Sequence, residues 1–334
     1  MMDVLLLGNG AMVPLPDRWL SSVLVRLDGS LTLLDCGEGT QVSWRRFHWG
    51  FKRLDTICLT HHHADHVAGL PGLFHTVSNA GRTQPMHIYG PPGTIEVIKG
   101  LRVIAQWLAF DMIVQELEGG DTFELPSGVQ GRVAWGDHRI PVLAYRFDLP
   151  RAPGFLPGRA ESLGIPRTKW KLLQRGERVE VDGRIVEPGE VLTESRRGIS
   201  LGMVTDTRPT DDIRKLMHGV DLLISEGTYG DDAEEEKAIS HKHMTFREAA
   251  TLAHEAQAGA LWLTHFGAGM ENPRRWERNA RDVFTNVELG DAGLTGRISF
   301  DEGYVPAGLV DRDTGSSPES ADSINAEIAP RSPM

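Results

Sequence analysis

The sequence predicts an α/β protein in which two mixed β-sheets lie face to face between outer helices, an αββα sandwich. Apolar runs typical of strands dominate the first 60 residues, whereas strand-like and helix-like runs alternate after residue 198. Many strands with helices between them favour two sheets flanked by helices. Residue types that bind metals also follow several predicted strands, as expected where loops at strand ends form a site.

Short strands make up most of the predicted elements in the first half of the chain. Strands are predicted at residues 4–7, 22–27, 31–35, 56–60, 86–89, 112–118, 121–125, 129–136 and 141–148. Asp28 and Gly29 are the type of pair that closes a hairpin between two strands. Helices are predicted over residues 68–80 and from Thr94 to residue 107.

The second half of the chain alternates between the two types of element. Strands are predicted at residues 198–204, 220–226, 259–264 and 297–300, and helices at residues 209–217, 245–256 and 272–284. Thr245 followed by Glu248 is a capping box, which marks the start of a helix. Residues 1–310 are therefore expected to form one domain. Residues 311–334 are rich in Ser, Asp, Glu and Pro, and we expect them to be disordered.

The composition is that of an ordinary soluble globular protein, with 40% hydrophobic and 24% charged residues in 334. No apolar run approaches the ~20 residues that cross a bilayer. The first residues lack the basic region and cleavage site of a signal peptide. The two cysteines, Cys36 and Cys58, lie in or beside strand-like runs and do not indicate a disulfide framework. We therefore expect a cytoplasmic protein with no membrane partner.

The distribution of charge singles out one segment. The net charge of −11 argues against a whole surface adapted to nucleic acid. Residues 151–184 nevertheless contain eight basic and four acidic side chains, a local charge of +4. They lie in a region rich in Pro, Gly and Arg, residues 150–197, which we expect to be an arm inserted into the domain. Charge alone leaves open whether the arm binds nucleic acid or is a solvated helical face.

The strongest functional signal is the sequence His-His-His-Ala-Asp-His at residues 61–66, directly after a strand-like apolar run. A strand that continues into a loop directs side chains i and i+2 to the same side, so His61 and His63 can bind one metal. Asp65 and His66 can then turn to a second metal. Imidazole nitrogens and carboxylate oxygens suit zinc first, and then manganese or iron. A chance His-rich cluster would not be expected to bring the aspartate and the following glycine turn with it.

An ordered series of short segments resembles the metallo-β-lactamase superfamily and, within it, most closely the ribonuclease Z family of tRNA 3′-processing endonucleases. The segments that carry the resemblance are residues 34–41, 59–73, 137–146, 205–207, 225–228, 243–245 and 263–266. The resemblance implies a metallo-β-lactamase fold, two metal ions per chain and a homodimer in which the arm of one subunit serves the site of the other.

The resemblance also implies which side chains bind the metals. One metal is expected on three histidines and a second on an aspartate and two histidines, with one bridging aspartate: His61, His63 and His138, then Asp65, His66 and His265, and Asp206 as the bridge. Two neighbouring cations need such an anionic bridge, and three ligands plus the bridge leave room for a substrate oxygen. Taken singly, His138, Asp206 and His265 could equally be a strand-end histidine, a helix cap and a packing residue.

The reaction implied by the resemblance is phosphodiester hydrolysis. Asp65 is expected to orient the attacking hydroxide or take its proton, and His243 to protonate the leaving oxygen. Glu226 is expected to orient His243, since a carboxylate partner keeps an imidazole basic enough to hold a proton. The structural alternative for Glu226 is a surface carboxylate at the end of a strand.

The arm gains a role from the same resemblance, because long-form ribonuclease Z proteins carry an arm between the third histidine and the bridging aspartate that grips the tRNA elbow. Phosphate contacts are expected from five basic residues: Arg167, Lys169, Lys171, Arg175 and Arg178. Three segments differ from the family pattern. Residues 167–170 replace a Gly-Pro pair, Ser225 replaces a histidine, and Gly-Ala-Gly-Met at residues 267–270 replaces Ser-x-Arg-Tyr.

The predicted function is therefore an endonuclease that removes the 3′ trailer of precursor tRNA. One alternative is a metal-dependent hydrolase of a small phosphodiester, such as a cyclic nucleotide, or of another small substrate on the same fold. Another is a non-catalytic, metal-stabilised RNA-binding protein. The last is disfavoured because all seven ligand positions are filled, and a binding protein has no need of a metal with an open position.

Overall fold

The computed structural model describes residues 1–310, so the predicted disordered tail at residues 311–334 lies outside the described residues. Seventeen strands are present in this part of the chain: β1 (Met2–Gly8), β2 (Ser22–Leu27), β3 (Ser30–Leu34), β4 (Leu54–Cys58), β5 (Met86–Gly90), β6 (Met112–Glu116), β7 (Thr122–Glu124), β8 (Gln130–Trp135), β9 (Leu143–Arg151), β10 (Val179–Val181), β11 (Arg184–Val186), β12 (Arg196–Val204), β13 (Leu222–Glu226), β14 (Leu261–Thr264), β15 (Val287–Leu289), β16 (Leu294–Ser299) and β17 (Gly303–Leu309).

Two mixed sheets form the centre of the molecule. The eight-stranded sheet has the order β17-β16-β1-β2-β3-β4-β5-β6, and the seven-stranded sheet has the order β15-β14-β13-β12-β9-β8-β7. Pairing is parallel from β3 to β6 and from β12 to β15, and antiparallel elsewhere in both sheets. The carboxyl ends of neighbouring parallel strands therefore meet at one edge of each sheet.

Helices cover the outer face of each sheet. The α-helices of the described residues are α1 (Thr40–Arg46), α2 (Ala64–Val67), α3 (Leu70–Asn79), α4 (Thr94–Leu101), α5 (Pro157–Ser162), α6 (Arg167–Gln174), α7 (Asp211–Leu216), α8 (Glu235–His241), α9 (Phe246–Glu255) and α10 (Glu277–Arg281). Of these, α5 and α6 belong to the arm and pack around its own core rather than on a sheet. One apolar cluster, which includes Tyr145 and Trp262, joins the inner faces of the two sheets. A second cluster lies between the eight-stranded sheet and its helices, and a third lies between the seven-stranded sheet and its helices. These layers confirm the predicted αββα sandwich. Among the described helices, none has the length and apolarity that a bilayer span requires.

The end of the domain differs from the sequence prediction. Where one last strand is predicted at residues 297–300, the chain forms the hairpin β16–β17. The sequence gives little sign of β17 because this edge strand contains Pro306 and Gly308, two residue types that weaken strand signals. The helix predicted over residues 272–284 is shorter, a 3₁₀ turn at Pro273–Trp276 followed by α10. Helices α1 and α8 and strand β15 are additions to the predicted elements.

The predicted arm, residues 150–197, has a small apolar core of its own. Helices α5 and α6 and the hairpin β10–β11 enclose seven buried apolar side chains: Ala160, Ile165, Leu173, Val179, Val181, Val186 and Val191. Asp182 and Gly183, which form the turn of this hairpin, have φ angles of 50° and 78°, as a two-residue turn with two left-handed positions requires. This core holds α6 and its basic side chains at the surface of the arm.

Two glycines allow the His-rich segment to lie directly against the turn after β3. Gly69 N–H donates to the carbonyl of Cys36 at 2.9 Å, and Cys36 N–H donates to the carbonyl of His66 at 2.8 Å. A Cβ atom at Gly69 would lie 2.2 Å from the carbonyl oxygen of Gly37, and one at Gly37 would lie 2.3 Å from that of Asp65. The backbones of the two segments therefore meet with no room for a side chain.

We expect Gly69→Ala to lower the free energy of unfolding by about 1–3 kcal/mol, since the new methyl group would collide with backbone that cannot move aside. Gly100→Ala is the matched control: it lies in α4, a methyl group there would meet nothing within 4 Å, and alanine favours the helix. Urea denaturation followed by circular dichroism measures both variants. Equal stability of the two variants would contradict this account of the junction.

Candidate metal centre

The residues of the candidate site follow the carboxyl ends of strands in both sheets. The His-rich segment follows β4, His138 follows β8, Asp206 follows β12, Glu226 ends β13 and His265 follows β14. The edges at which these strands end face the same cleft, so side chains that are up to 204 residues apart, from His61 to His265, come together. The structure thus places all seven side chains expected to bind metals in two adjoining groups.

The first group consists of His61, His63, His138 and Asp206, whose ligand atoms lie within 4.8 Å of one another. His63 Nδ1 is 3.0 Å from His61 Nε2 and 3.3 Å from His138 Nε2. Asp206 Oδ1 is 3.8 Å from His61 Nε2. Three imidazole nitrogens and one carboxylate oxygen therefore converge on a single point, which is the donor set of a tetrahedral divalent metal.

The second group consists of Asp65, His66 and His265, whose ligand atoms also lie within 4.8 Å of one another. The Nε2 atoms of His66 and His265 are 3.3 Å apart, and Asp65 Oδ2 is 3.6 Å and 3.5 Å from them. The other oxygen of Asp206, Oδ2, lies 3.1 Å and 3.2 Å from the same two nitrogens. Asp206 therefore offers one oxygen to each group, which is the arrangement expected of a bridging ligand.

Two buried carboxylates orient four of the imidazole rings. His66 Nδ1 donates to Asp35 Oδ2 at 2.8 Å, and His61 Nδ1 reaches the same carboxylate through the hydroxyl of Thr60, at 3.0 and 2.8 Å. Because these bonds use the Nδ1–H of each ring, Nε2 is left as a lone pair that faces the group of ligands.

Glu226 repeats this pattern on the opposite side of the centre. His243 Nδ1 donates to Glu226 Oε2 at 3.1 Å, and His265 Nδ1 lies 3.1 Å from the hydroxyl of Thr228, which donates to the same oxygen at 2.6 Å. Glu226 also accepts from the backbone N–H groups of Thr207 and Met244, at 2.7 and 3.2 Å. Glu226 is fully buried, so the alternative of a surface carboxylate is wrong.

The site suits divalent cations on the evidence of its own chemistry. Inward-facing nitrogens lie 3.0–3.3 Å apart, and the outward partners of His61, His66 and His265 fix these three rings in the tautomer that presents a lone pair. Burial lowers the pKa of His61, His63 and His138, which keeps them in the neutral form that binds metals. The His and Asp side chains of the centre therefore form a site that can hold divalent metal ions.

His243 differs electrostatically from the first-group histidines. Burial lowers its pKa, but the carboxylates of Glu226, Asp206 and Asp65 together outweigh burial and raise the pKa to about 9. These carboxylates favour the protonated form of the ring. Its Nδ1 is 3.8 Å from Asp206 Oδ1, so the protonated ring lies beside the metal centre. This position is the one expected of a proton donor to a leaving group.

A ribonuclease Z of Clostridium beijerinckii is 43% identical to this chain over 308 residues, which cover 90% of this chain and 100% of that protein. The chain belongs to the ribonuclease Z family. A second relative, a ribonuclease Z of Clostridium acetobutylicum, is 39% identical over 316 residues and covers 90% of this chain and 99% of its own length. Like the family, the chain is a metal-dependent hydrolase.

Solved structures and family models share the metallo-β-lactamase fold with this chain, and one of the structures is a tRNase Z. The short form of human tRNase Z has a TM-score of 0.63 and 27% identity, over 89% of this chain and 99% of that one. A metallo-β-lactamase fold protein of Bacillus subtilis, YhfI, has the same TM-score at 20% identity over 88% and 98%, and shows the fold. Residues 177–266 match a β-lactamase superfamily domain, and residues 2–102 match a model described as anti-Pycsar protein Apyc1.

Several residues of this ribonuclease Z site were not predicted as functional from the sequence. Asp35, Thr60 and Thr228 orient the histidines, yet they contact no metal position themselves. Asp35 and Thr228 lie inside segments that carried the family resemblance, which was the signal available. The five basic residues predicted on the arm make no described contact with the metal centre; they lie on α6 and in the turn that follows it.

We expect Asp206→Ala to remove metal from both groups, because its two oxygens face one group each, whereas His63→Ala should leave about one metal equivalent in the second group. Inductively coupled plasma mass spectrometry after dialysis measures the metal content of each variant. Asp211→Ala, an exposed carboxylate on α7, should retain the wild-type content. Equal loss from the Asp206 and His63 variants would contradict the bridging position of Asp206.

Proposed function

We propose that the chain is an endonuclease that removes the 3′ trailer from precursor tRNA with two zinc ions per chain. The observation that supports it is that the two ligand groups and the His243–Glu226 pair lie together in a chain of the ribonuclease Z family. A carboxylate shared by two cation positions, with a protonated imidazole beside it, suits the hydrolysis of a phosphodiester with a poor leaving group. Manganese or iron would suit the same N and O ligands.

In the proposed reaction, the metals and the protein side chains have different roles. Divalent cations held by the two ligand groups would polarise a water molecule and offset the charge that develops on the phosphoryl oxygens. Asp65 orients the attacking water and takes its proton; its Oδ2 is fixed by the N–H of Met12 at 2.8 Å. His243 donates a proton from Nε2 to the leaving oxygen, because its Nδ1–H is held by Glu226.

Contacts within the arm divide the five predicted phosphate-binding residues into two sets. Arg167 pairs with Glu161 at 2.9 Å and lies over the ring of Trp170, and Lys169 donates to the carbonyl of Glu180. In the described residues, the remaining three are exposed and have no intramolecular partner: Lys171, Arg175 and Arg178. We therefore propose that these three bind the phosphates of the tRNA, while Arg167 and Lys169 stabilise the arm.

Purified protein should cleave a 3′-extended precursor tRNA, and a chelator should abolish the cleavage. We expect replacement of Lys171, Arg175 and Arg178 by alanine to weaken cleavage and to reduce the slope of log affinity against log salt by about one per residue. Hydrolysis of bis(p-nitrophenyl) phosphate should be unchanged, because that substrate is too small to reach the arm. Single-turnover rates at several salt concentrations measure both effects.

The matched control neutralises three exposed basic residues of the catalytic domain, Lys99, Lys215 and Arg278, and should leave the salt dependence of cleavage near wild type. If the arm variant cleaved precursor tRNA like wild type at every salt concentration, the arm would have no role in binding. If wild type hydrolysed only small phosphodiesters such as cyclic nucleotides, the alternative function would replace the proposal.

We also propose a homodimer, and the cytoplasmic location predicted from the sequence stays a prediction. Support for the dimer comes from an exposed apolar segment after α4, in which Val103, Ile104 and Trp107 are 65, 73 and 87% exposed. Apolar surface of this kind marks a protein interface. Light scattering should give a dimer mass for wild type and a monomer mass for Trp107→Glu. Ile239→Glu, on the exposed side of α8, should stay dimeric; a monomeric wild type would refute the proposal.

A further inference from the structure

Arg208 connects the turn that carries Asp206 to the loop that carries His243. Its side chain is largely buried and donates to the carbonyl of His243 and to both carboxylate oxygens of Glu248, with Nη1 at 3.0 Å from Oε2. Its backbone N–H donates to the carbonyl of Asp137, the neighbour of His138, at 3.2 Å. One residue thus joins three segments that meet at the metal centre.

We propose that Arg208 is a positioning residue that fixes the imidazole of His243 above the scissile phosphate. The inference rests on the proposed role of His243 as proton donor. A planar guanidinium with a bidentate carboxylate partner holds a fixed direction, so the donor to the His243 carbonyl is itself held in place.

The loop between α8 and α9 needs such a restraint. Lys242 adopts a left-handed backbone with φ of 64°, and His243 follows directly. The N–H of His243 donates to the carbonyl of Ala238 at 2.9 Å, while Arg208 supplies the bond on the carbonyl side of the same residue. With both ends of the residue held, the ring has a defined orientation toward Glu226.

Glu248 holds the guanidinium group of Arg208 in place. It is the third residue of α9, and its carboxylate accepts from the N–H of Thr245 at 2.9 Å while Thr245 caps the helix. Arg208 therefore links the N-terminus of α9 to His243, which lies two residues before the N-cap residue Thr245. A displacement of about 1 Å in a catalytic group can cost on the order of 100-fold in rate, so hydrogen bonds that fix the position of His243 matter for catalysis.

The alternative is that Arg208 only stabilises the fold by tying α9 to the core. The chain contains a matched control for this alternative. Arg214 on α7 pairs with Glu255 at the opposite end of α9, at 2.5 Å, and makes no contact with the candidate site. If the role of Arg208 were purely structural, Arg208→Met and Arg214→Met would have similar effects on kcat and on the signal of the His243 ring.

The test is a double-mutant cycle between Arg208→Met and His243→Ala, with kcat and KM measured on precursor tRNA and on bis(p-nitrophenyl) phosphate. We expect Arg208→Met to lower kcat for precursor tRNA about 10- to 100-fold with little change in KM. In the His243→Ala background the same substitution should change kcat by less than about twofold, because a residue that acts through His243 has no effect once His243 is gone.

The second substrate separates positioning from general damage to the site. A nitrophenolate leaves without needing a proton, so His243→Ala and Arg208→Met should each slow hydrolysis of bis(p-nitrophenyl) phosphate less than they slow cleavage of precursor tRNA. Arg208→Lys, which keeps a cation but loses the bidentate geometry, serves as a milder variant if Arg208→Met does not fold, and we expect partial activity. The ¹³C–¹H NMR signal of the His243 ring should shift or broaden in both Arg208 variants and stay unchanged in Arg214→Met.

The outcomes are distinguishable. If His243→Ala itself leaves cleavage of precursor tRNA unchanged, the proposed role of His243 fails. If His243→Ala lowers kcat but Arg208→Met has the same effect in both backgrounds, or slows both substrates equally, the positioning role of Arg208 is overturned while the proposed function stands. An unshifted His243 signal in a folded Arg208 variant would also overturn it.

Discussion

The metal centre depends on two buried carboxylates that are not themselves ligands. Asp35 and Glu226 are fully buried, and each orients two histidines, one directly and one through a threonine hydroxyl. A buried carboxylate is costly unless hydrogen bonds satisfy it, and here the donors are the Nδ1–H groups and hydroxyls of the site. The same bonds that make burial tolerable also turn the Nε2 lone pairs of His61, His66 and His265 inward.

Backbone geometry at strand ends provides the second constraint. Asp35 and His265 directly follow β3 and β14, and Asp206 lies two residues after the end of β12; their φ angles are 57°, 55° and 51°. A left-handed conformation costs a non-glycine residue about 1–2 kcal/mol, and such residues are found where function demands a particular direction of the side chain. Hydrogen bonds to the buried partners offset the cost.

The local part of the site could be predicted from sequence, and the long-range part could not. The spacing of residues 61–66 indicates which side of a strand end each ligand takes, and the architecture of two sheets flanked by helices could be anticipated from the pattern of strands and helices. His138, Asp206 and His265 were identified only through an ordered resemblance, because no local rule separates a ligand from a strand-end histidine or a helix cap. Arg208 had no signal at all, since its partner Glu248 is forty residues away and has the sequence position of a capping residue. The arm is a second example of what the sequence alone does not predict. Its composition indicates the basic residues, but only tertiary contacts distinguish the cations that have an intramolecular partner from those that do not.

A net charge of −11 is compatible with an RNA substrate because the proposed phosphate contacts are local. The arm segment carries +4, so the rest of the chain carries −15. At physiological ionic strength, charges further apart than about 8 Å are largely screened, so phosphates near the arm respond to the arm rather than to the distant acidic surface. Close to the metal centre the same reasoning applies to residues 267–270, which lack the arginine of the family pattern. Arg18, from the loop after β1, lies against this segment and donates to the carbonyls of Gly267 and Glu271 at 3.4 and 3.3 Å. A cation from elsewhere in the chain therefore lies beside this segment.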